Sequence, residues 1–197
     1  GSIVDYTVED QEGEIIEGQG SIDTEPDYSF NKDLSSLSDG TLDLTVEITD
    51  VAGNSVAKTK ELVKDTTVPE LNTVTIESDN NNLGLAKAGD TVTLDITANT
   101  DITEPEVSIA GNTDDVFVDG IGSNWYAEYT MTEGDPEGVV NFSISNYQDS
   151  AGNIGAEVTA TTDNSSVEFD KTPPTLYGIY IKENLQTVNV GQDESFQ

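Results

Sequence analysis

The chain has 197 residues, with 39 acidic side chains against 7 basic ones, no histidine and no cysteine, for a formal net charge of −32. So few cations, all of them lysine, cannot neutralise a nucleic-acid backbone or hold an anionic bilayer surface. Without imidazole or thiol there is no zinc site of the N/S kind, no disulfide and no Cys or His catalysis, and no apolar run reaches the ~18–20 residues that span a bilayer.

Hydrophobic residues make up 34% of the chain, a share that with this charge borders on the composition of disordered proteins. Periodicity decides otherwise. Leu42, Leu44, Val46 and Ile48 alternate with polar residues and predict one buried face of a strand. Val74 and Ile76 follow, then Val92, Leu94, Ile96 and Ala98, and then Val107 and Ile109. Trp125, Ala127, Tyr129 and Met131 share a face, as do Val140, Phe142 and Ile144; Val158 with Ala160 and Val167 with Phe169 predict two more strands. Between them lie the turn sequences Ala88-Gly89-Asp90, Asp119-Gly120, residues 133–138 and Ala151-Gly152-Asn153. Short strands at this spacing, with no helical period, predict an all-β chain of antiparallel β-sandwiches.

The chain also repeats itself. Asp50-Val51-Ala52-Gly53-Asn54 returns as Asp149-Ser150-Ala151-Gly152-Asn153. Asp65-Thr66-Thr67-Val68-Pro69 returns as Asp170-Lys171-Thr172-Pro173-Pro174, 105 positions later. An alternating segment follows each, from Leu71 to Ile76 and from Leu176 to Ile181. The period divides the chain into a partial domain at 1–65, a complete one at 66–170 and the start of a third at 171–197. Neither end reads as a natural terminus, so the chain is expected to be a window on a longer polypeptide.

Asp-x-Ala-Gly-Asn followed by Asp-x-Thr-x-Pro resembles the bacterial immunoglobulin-like repeats of giant surface adhesins. Residues 36–42, Ser-Leu-Ser-Asp-Gly-Thr-Leu, resemble one variety. Residues 88–94, Ala-Gly-Asp-Thr-Val-Thr-Leu, with Trp125-Tyr126-Ala127 and Glu137-Gly138, resemble another. The resemblance covers nearly the whole chain. It implies tandem Ig-like sandwiches, a stalk or spacer role, an extracellular or cell-surface location, and, in several kinds of repeat, calcium at domain junctions. The implied partners are the neighbouring Ig-like domains of the same chain and, in a lattice or filament, other copies. Nucleic acid and membrane insertion are not expected.

In a seven-stranded Ig-type sandwich the loop between the last two strands lies at the pole where the chain enters, with the loop between the second and third strands. That topology brings Asp149 and Asn153 beside Asp101 and Glu104, where Asp65 also arrives. Only oxygen ligands are on offer, which selects a hard cation such as Ca²⁺. A second, weaker set at the opposite pole is Asp90, Asp135 and Asp170, with Glu133 and Glu137 nearby. The alternative is turn chemistry alone: Asp accepts backbone N–H bonds, and Gly and Asn tolerate positive φ.

No catalytic site is expected; chance pairs of carboxylates abound, and Trp125 alternates with core positions. Asn141-Phe142-Ser143 and Asn164-Ser165-Ser166 match the N-glycosylation sequon. A surface lattice or filament subunit remains an alternative, as does a carbohydrate- or ligand-binding module, for which Tyr6, Tyr28 and Tyr147 are the candidate exposed aromatics.

Overall fold

The computed structural model describes residues 1–22 and 31–178. Among them there is no helix, and thirteen strands arrange into sheets that are antiparallel but for one short pair, an all-β architecture that fits a β-sandwich.

Four strands before residue 65 form one antiparallel sheet. Its strands are β1 (Ser2–Glu9), β2 (Ile15–Ile22), β3 (Gly40–Thr49) and β4 (Ser55–Lys64), in the order β2-β1-β3-β4. Val4, Tyr6 and Val8 are buried along β1, as a period of two demands. The Tyr6 ring lies over Gly18 on β2, where any Cβ would collide with it. A small core joins Val8, Leu37 and Leu42 to Ile16, Leu34, Leu44 and Leu62. The stripe expected on β3 is therefore buried at one end only: Leu42 is inside, Leu44 and Val46 are half-buried, and Ile48 is 37% exposed. The reason is cover. Leu34 and Leu37 pack over the Leu42 end and do not reach Ile48.

A larger body follows from Leu71. Strands β5 (Leu71–Ser78), β7 (Thr91–Ala98), β10 (Asn124–Thr130) and β9 (Phe117–Ile121) make an antiparallel sheet in the order β5-β7-β10-β9. Opposite them β8 (Glu106–Ile109) pairs with β12 (Phe142–Ser145). The short strands β11 (Gly138–Val139), β13 (Glu168–Phe169) and β6 (Leu85–Ala86) form a third sheet, in which β13 and β6 run parallel. The predicted stripes Val92-Leu94-Ile96-Ala98, Ala127-Tyr129-Met131 and Val140-Phe142-Ile144 all enter one core, with Val167 and Phe169. Trp125 packs partly buried against that core, its indole N–H donating to the Gly122 carbonyl at 3.0 Å.

Two expected features differ. The pair Asp119-Gly120 is not a turn but lies inside β9, because Gly120 sits under Trp125 where a Cβ would strike the Trp125 side chain and the Asn124 carbonyl; the chain reverses at Gly122, φ +64. Val158 and Ala160 form no strand. Val158 makes a single bridge to Ile144 and Ala160 is exposed. The edge of β5 is closed instead by hydroxyls: Val74 N–H donates to Thr162 Oγ1 at 3.1 Å and Ile76 N–H to Ser165 Oγ at 2.9 Å. Short hydroxyl side chains compete with a partner strand for the same N–H groups, and here they win. The segment expected from Leu176 runs into residues 179–197, and Tyr28 into 23–30, both outside the described residues.

Tyr147, 1% exposed, covers Gly155 as Tyr6 covers Gly18, and its hydroxyl donates to the Ala156 carbonyl at 2.7 Å. A Gly155→Ala substitution therefore drives a methyl into the ring, an overpacking that costs about 1–3 kcal/mol. Chemical denaturation should show that loss, and Gly152→Ala should act differently, through strain at its φ of +90° in open space.

Candidate functional site: the segments between the repeats

The recurring pentapeptides are one device built twice. At Asp50, Oδ1 accepts the N–H of Ala52 at 2.9 Å and of Asn54 at 2.8 Å, while Oδ2 accepts the Asn54 amide at 2.9 Å. At Asp149 the same atoms take Ala151 at 2.9 Å, Asn153 at 2.9 Å and the Asn153 amide at 2.8 Å. Gly53 and Gly152 supply the left-handed backbone that closes each turn, at φ +91° and +90°. A third copy, which the sequence reading did not single out, spans residues 10–14. Asp10 Oδ1 accepts Glu12 N–H at 3.0 Å and Glu14 N–H at 2.9 Å, with Gly13 at φ +85°. Its Oδ2 takes Ser38 N–H at 2.8 Å, tying the turn to the segment before β3.

Beyond its own turn, Asn153 reaches the stretch that joins the first sheet to the second body. Its Nδ2, bonded to Asp149 Oδ2, also donates to the Asp65 backbone carbonyl at 3.1 Å. The neighbouring loops converge on the same end. Thr103 N–H donates to the Gln148 carbonyl at 2.8 Å, Gln148 N–H to Thr103 Oγ1 at 3.0 Å, and Asn99 N–H to the Glu70 carbonyl at 2.9 Å. Residues 65–70, 99–103 and 148–153 thus meet at one pole.

The carboxylates themselves do not converge on a common point. Asp65 turns back to accept Thr67 N–H at 2.9 Å. Asp101 lies against Gly122, where an added Cβ would come 3.0 Å from its Oδ1, and Glu104 is exposed. Among the described residues no group of three or more Asp or Glu is placed to hold a metal ion. The Asn153 amide nitrogen occupies the space between two oxygens, Asp149 Oδ2 and Asp65 O, and both are satisfied by it. As arranged, this donor set presents N–H groups where a calcium shell needs free oxygens.

The second set is equally occupied by its own donors. Asp90, 7% exposed, takes Lys87 N–H at 3.0 Å, the Asn80 amide at 2.7 Å and the Lys87 ammonium. The Lys87 side chain first, then Asn80, hold its pKa down to about 2. Asp135, 5% exposed, accepts the Tyr129 hydroxyl, Thr132 N–H at 2.6 Å, Thr132 Oγ1 at 3.0 Å and the Asn112 amide at 3.0 Å. Burial pushes its carboxyl up, but the bonds from Thr132, Asn112 and Tyr129 outweigh it and leave the pKa below the usual value. Asp170 is exposed and closes a turn onto Thr172 N–H at 2.8 Å.

What both connecting stretches do share is a fastening to the loop before them. Asp39 accepts the Lys64 ammonium on Oδ1 at 2.8 Å, and on Oδ2 the N–H of Thr66 at 2.9 Å and its hydroxyl at 2.7 Å. Lys64 also caps the Leu37 carbonyl at 2.8 Å. One repeat on, Glu137 Oε1 accepts Lys171 N–H at 3.2 Å and the Thr172 hydroxyl at 2.6 Å, while Lys171 Nζ caps the carbonyls of Glu133 and Asp135, each at 2.8 Å. In each case an acid holds the threonine of the Asp-Thr or Asp-x-Thr stretch, and a lysine caps loop carbonyls. The sequence carried this only as the recurrence of Lys and Thr around Asp65 and Asp170.

Compared with known proteins, the chain matches no family model and no curated protein. Among solved structures it is similar to SGBP-B of the Bacteroides ovatus mixed-linkage glucan utilization locus, in complex with a mixed-linkage heptasaccharide. Identity is 18%, the match covers 86% of this chain and 37% of that one, and the TM-score is 0.25. This chain thus spans little more than a third of that protein's length.

Two outcomes are expected here. Asn153→Ala removes the bonds to Asp149 and Asp65 and should lower the melting temperature by a few degrees, the size of one or two hydrogen bonds in a domain of ~100 residues. The fall should be equal in calcium and in chelator; a loss seen only with calcium present would contradict the hydrogen-bonded reading. The second concerns acid. Lys64 foremost, then Thr66, hold the Asp39 pKa at about 2, below its ordinary 3.8. A depressed carboxyl stabilises the folded state above its unfolded pKa and loses that contribution as pH falls through the folded one. The amide of Thr66, bonded to Asp39 Oδ2, should therefore shift between about pH 4 and 2 in NMR spectra, and Asp39→Asn should abolish that step.

Proposed function

We propose that the chain is a run of Ig-like spacer repeats from a microbial surface or secreted adhesin, in which the connecting stretches are held by direct hydrogen bonds. The observation that carries this reading is the paired fastening: Asp39–Lys64–Thr66 before the second body and Glu137–Lys171–Thr172 after it. A tether between independent domains has no need to be tied on both sides, whereas a rod does, and Asn153 ties the first stretch to the body that follows. The repeated Asp-x-Ala-Gly-Asn turns and the 105-position period support tandem units of one kind. The resemblance to adhesin repeats supports an extracellular location, and the composition supports a structural rather than a catalytic role.

The lattice reading requires strands offered for pairing. Strand β4 is a ten-residue edge among the described residues, but it carries Lys58, Lys60 and Lys64, and lysine on an edge discourages strand addition. The module reading named Tyr6 and Tyr147 as exposed aromatics; both are buried, at 8% and 1% exposure, because each ring covers a glycine of a neighbouring segment.

Small-angle scattering of the full chain tests the spacer reading. The maximum dimension should be the same in millimolar calcium and in excess chelator. Asp39→Ala combined with Asn153→Ala should broaden the distribution of interatomic distances while circular dichroism stays that of an all-β protein. A double variant with unaltered scattering would mean that these bonds do not set the angle between units.

A further inference from the structure

We propose that the outer face of the β5-β7-β10-β9 sheet is a docking surface for an extended, arginine-bearing segment of another protein, with a guanidinium seated over Tyr126 between Asp95 and Asp119. The proposal goes beyond the spacer reading and stands apart from the connecting stretches.

The register builds the face. While Trp125, Ala127 and Tyr129 point into the core, Asn124, Tyr126 and Glu128 point out. Asp95 of β7 and Asp119 of β9 stand directly opposite Tyr126 on its two sides. Glu128 stands opposite Phe117, and Asn124 opposite both Thr97 and Ile121. Phe117 is 56% exposed and Ile121 85% exposed. The Phe117 and Tyr126 rings form a tilted pair with centroids 6.1 Å apart. Beside them a cleft of about 210 Å³ opens between Asp95, Thr97, Asn124 and Tyr126. Phe117, Ile121 and the Tyr126 ring thus lay an apolar strip along this acidic face.

Charge says which occupant fits. The carboxylates of Asp95 and Glu128 accept no hydrogen bond or ion pair from the described residues, in contrast to those of the turn aspartates. The Tyr126 hydroxyl donates to Asp119 Oδ2 at 3.5 Å, and burial first, then the charges of Asp119 and Glu128, raise its pKa. Adjacent strands lie about 4.8 Å apart, so Asp95 and Asp119 flank Tyr126 at a separation of ~10 Å. A planar guanidinium stacked on the ring reaches a carboxylate on either side, joining cation–π attraction to charge-assisted hydrogen bonds. A second copy of this chain is a poor occupant, for it has no arginine and a net charge of −32. An extended segment fits a flat pleated face better than a free amino acid, because its alternate side chains reach Tyr126 and Phe117 together.

The test is ¹⁵N NMR titration of the full chain, at 0.15 M salt to screen diffuse attraction. The probe is a capped Gly-Arg-Gly-Arg-Gly peptide, with lysine and neutral citrulline versions and a glucosamine trimer alongside. The expected result is shifts confined to Thr97, Asn124, Tyr126, Glu128 and their neighbours, strongest for arginine and absent for citrulline. Tyr126→Ala with Phe117→Ala should weaken binding at least tenfold while the remaining spectrum stays that of the folded protein. Tyr126→Phe, which keeps the ring, should bind like the parent. Shifts spread over acidic residues of both bodies and unchanged in the double variant overturn the proposal as counter-ion binding. No shift at millimolar peptide overturns it as well, and so does binding of the glucosamine trimer alone, which would mark an amino-sugar site.

Discussion

Thirty-nine carboxylates with seven cations to answer them is the constraint around which this structure is arranged. Negative charge at this density opposes compaction, and ion pairs are too few to relieve it. The chain relies on neutral donors instead. Asp10, Asp50 and Asp149 each gather backbone N–H groups from two to four residues ahead, so that the group that would repel becomes the group that closes the hairpin. Their pKa values lie below the ordinary range for that reason: Ser38 N–H leads at Asp10, and the Asn54 and Asn153 amides lead at Asp50 and Asp149. The few lysines are used where one ammonium does most. Lys64 and Lys171 each bridge two oxygens of a loop beside the stretches that begin at Asp65 and Asp170.

The sequence made some of this legible and hid the rest for physical reasons. Strand positions such as Val92-Leu94-Ile96 were readable because a half-buried strand must alternate, and the core confirms them. The turns at Asp50 and Asp149 were readable as a repeated word. Asp10 escaped because its turn, Asp-Gln-Glu-Gly-Glu, shares only the Asp and the Gly, which are the two residues the geometry needs. Val158 and Ala160 alternate as a strand should, yet alternation cannot report that Thr162 and Ser165 hydroxyls take the β5 N–H groups first. Asp119-Gly120 has turn composition, but the glycine is there to admit Trp125.

The pole at Asp65 shows the same boundary more sharply. Topology alone placed Asp149, Asn153 and the 101–104 segment together, and the bonds among Asn153, Asp65, Thr103 and Gln148 hold those segments in that way. What topology cannot supply is the direction of each side chain. A carboxylate with two N–H donors on one oxygen and an amide on the other has little left for a cation, and that is visible only in coordinates.

That distinction between satisfied and unsatisfied carboxylates separates the two faces of the chain's chemistry. At the connecting stretches Asp39, Asp149 and Glu137 are each held by two or more donors, so their charge is consumed in fixing backbone. On the outer sheet face Asp95 and Glu128 have no such donors, and the aromatic pair beside them stays open. A surface whose only task is solubility gains from carboxylates alone and is not improved by a Phe117 or Ile121 at its edge. The two residue types are useful together when a ligand is both cationic and flat. Donors within the chain fix the connecting stretches, while the carboxylates of Asp95 on β7 and Glu128 on β10 keep their charge free of donors.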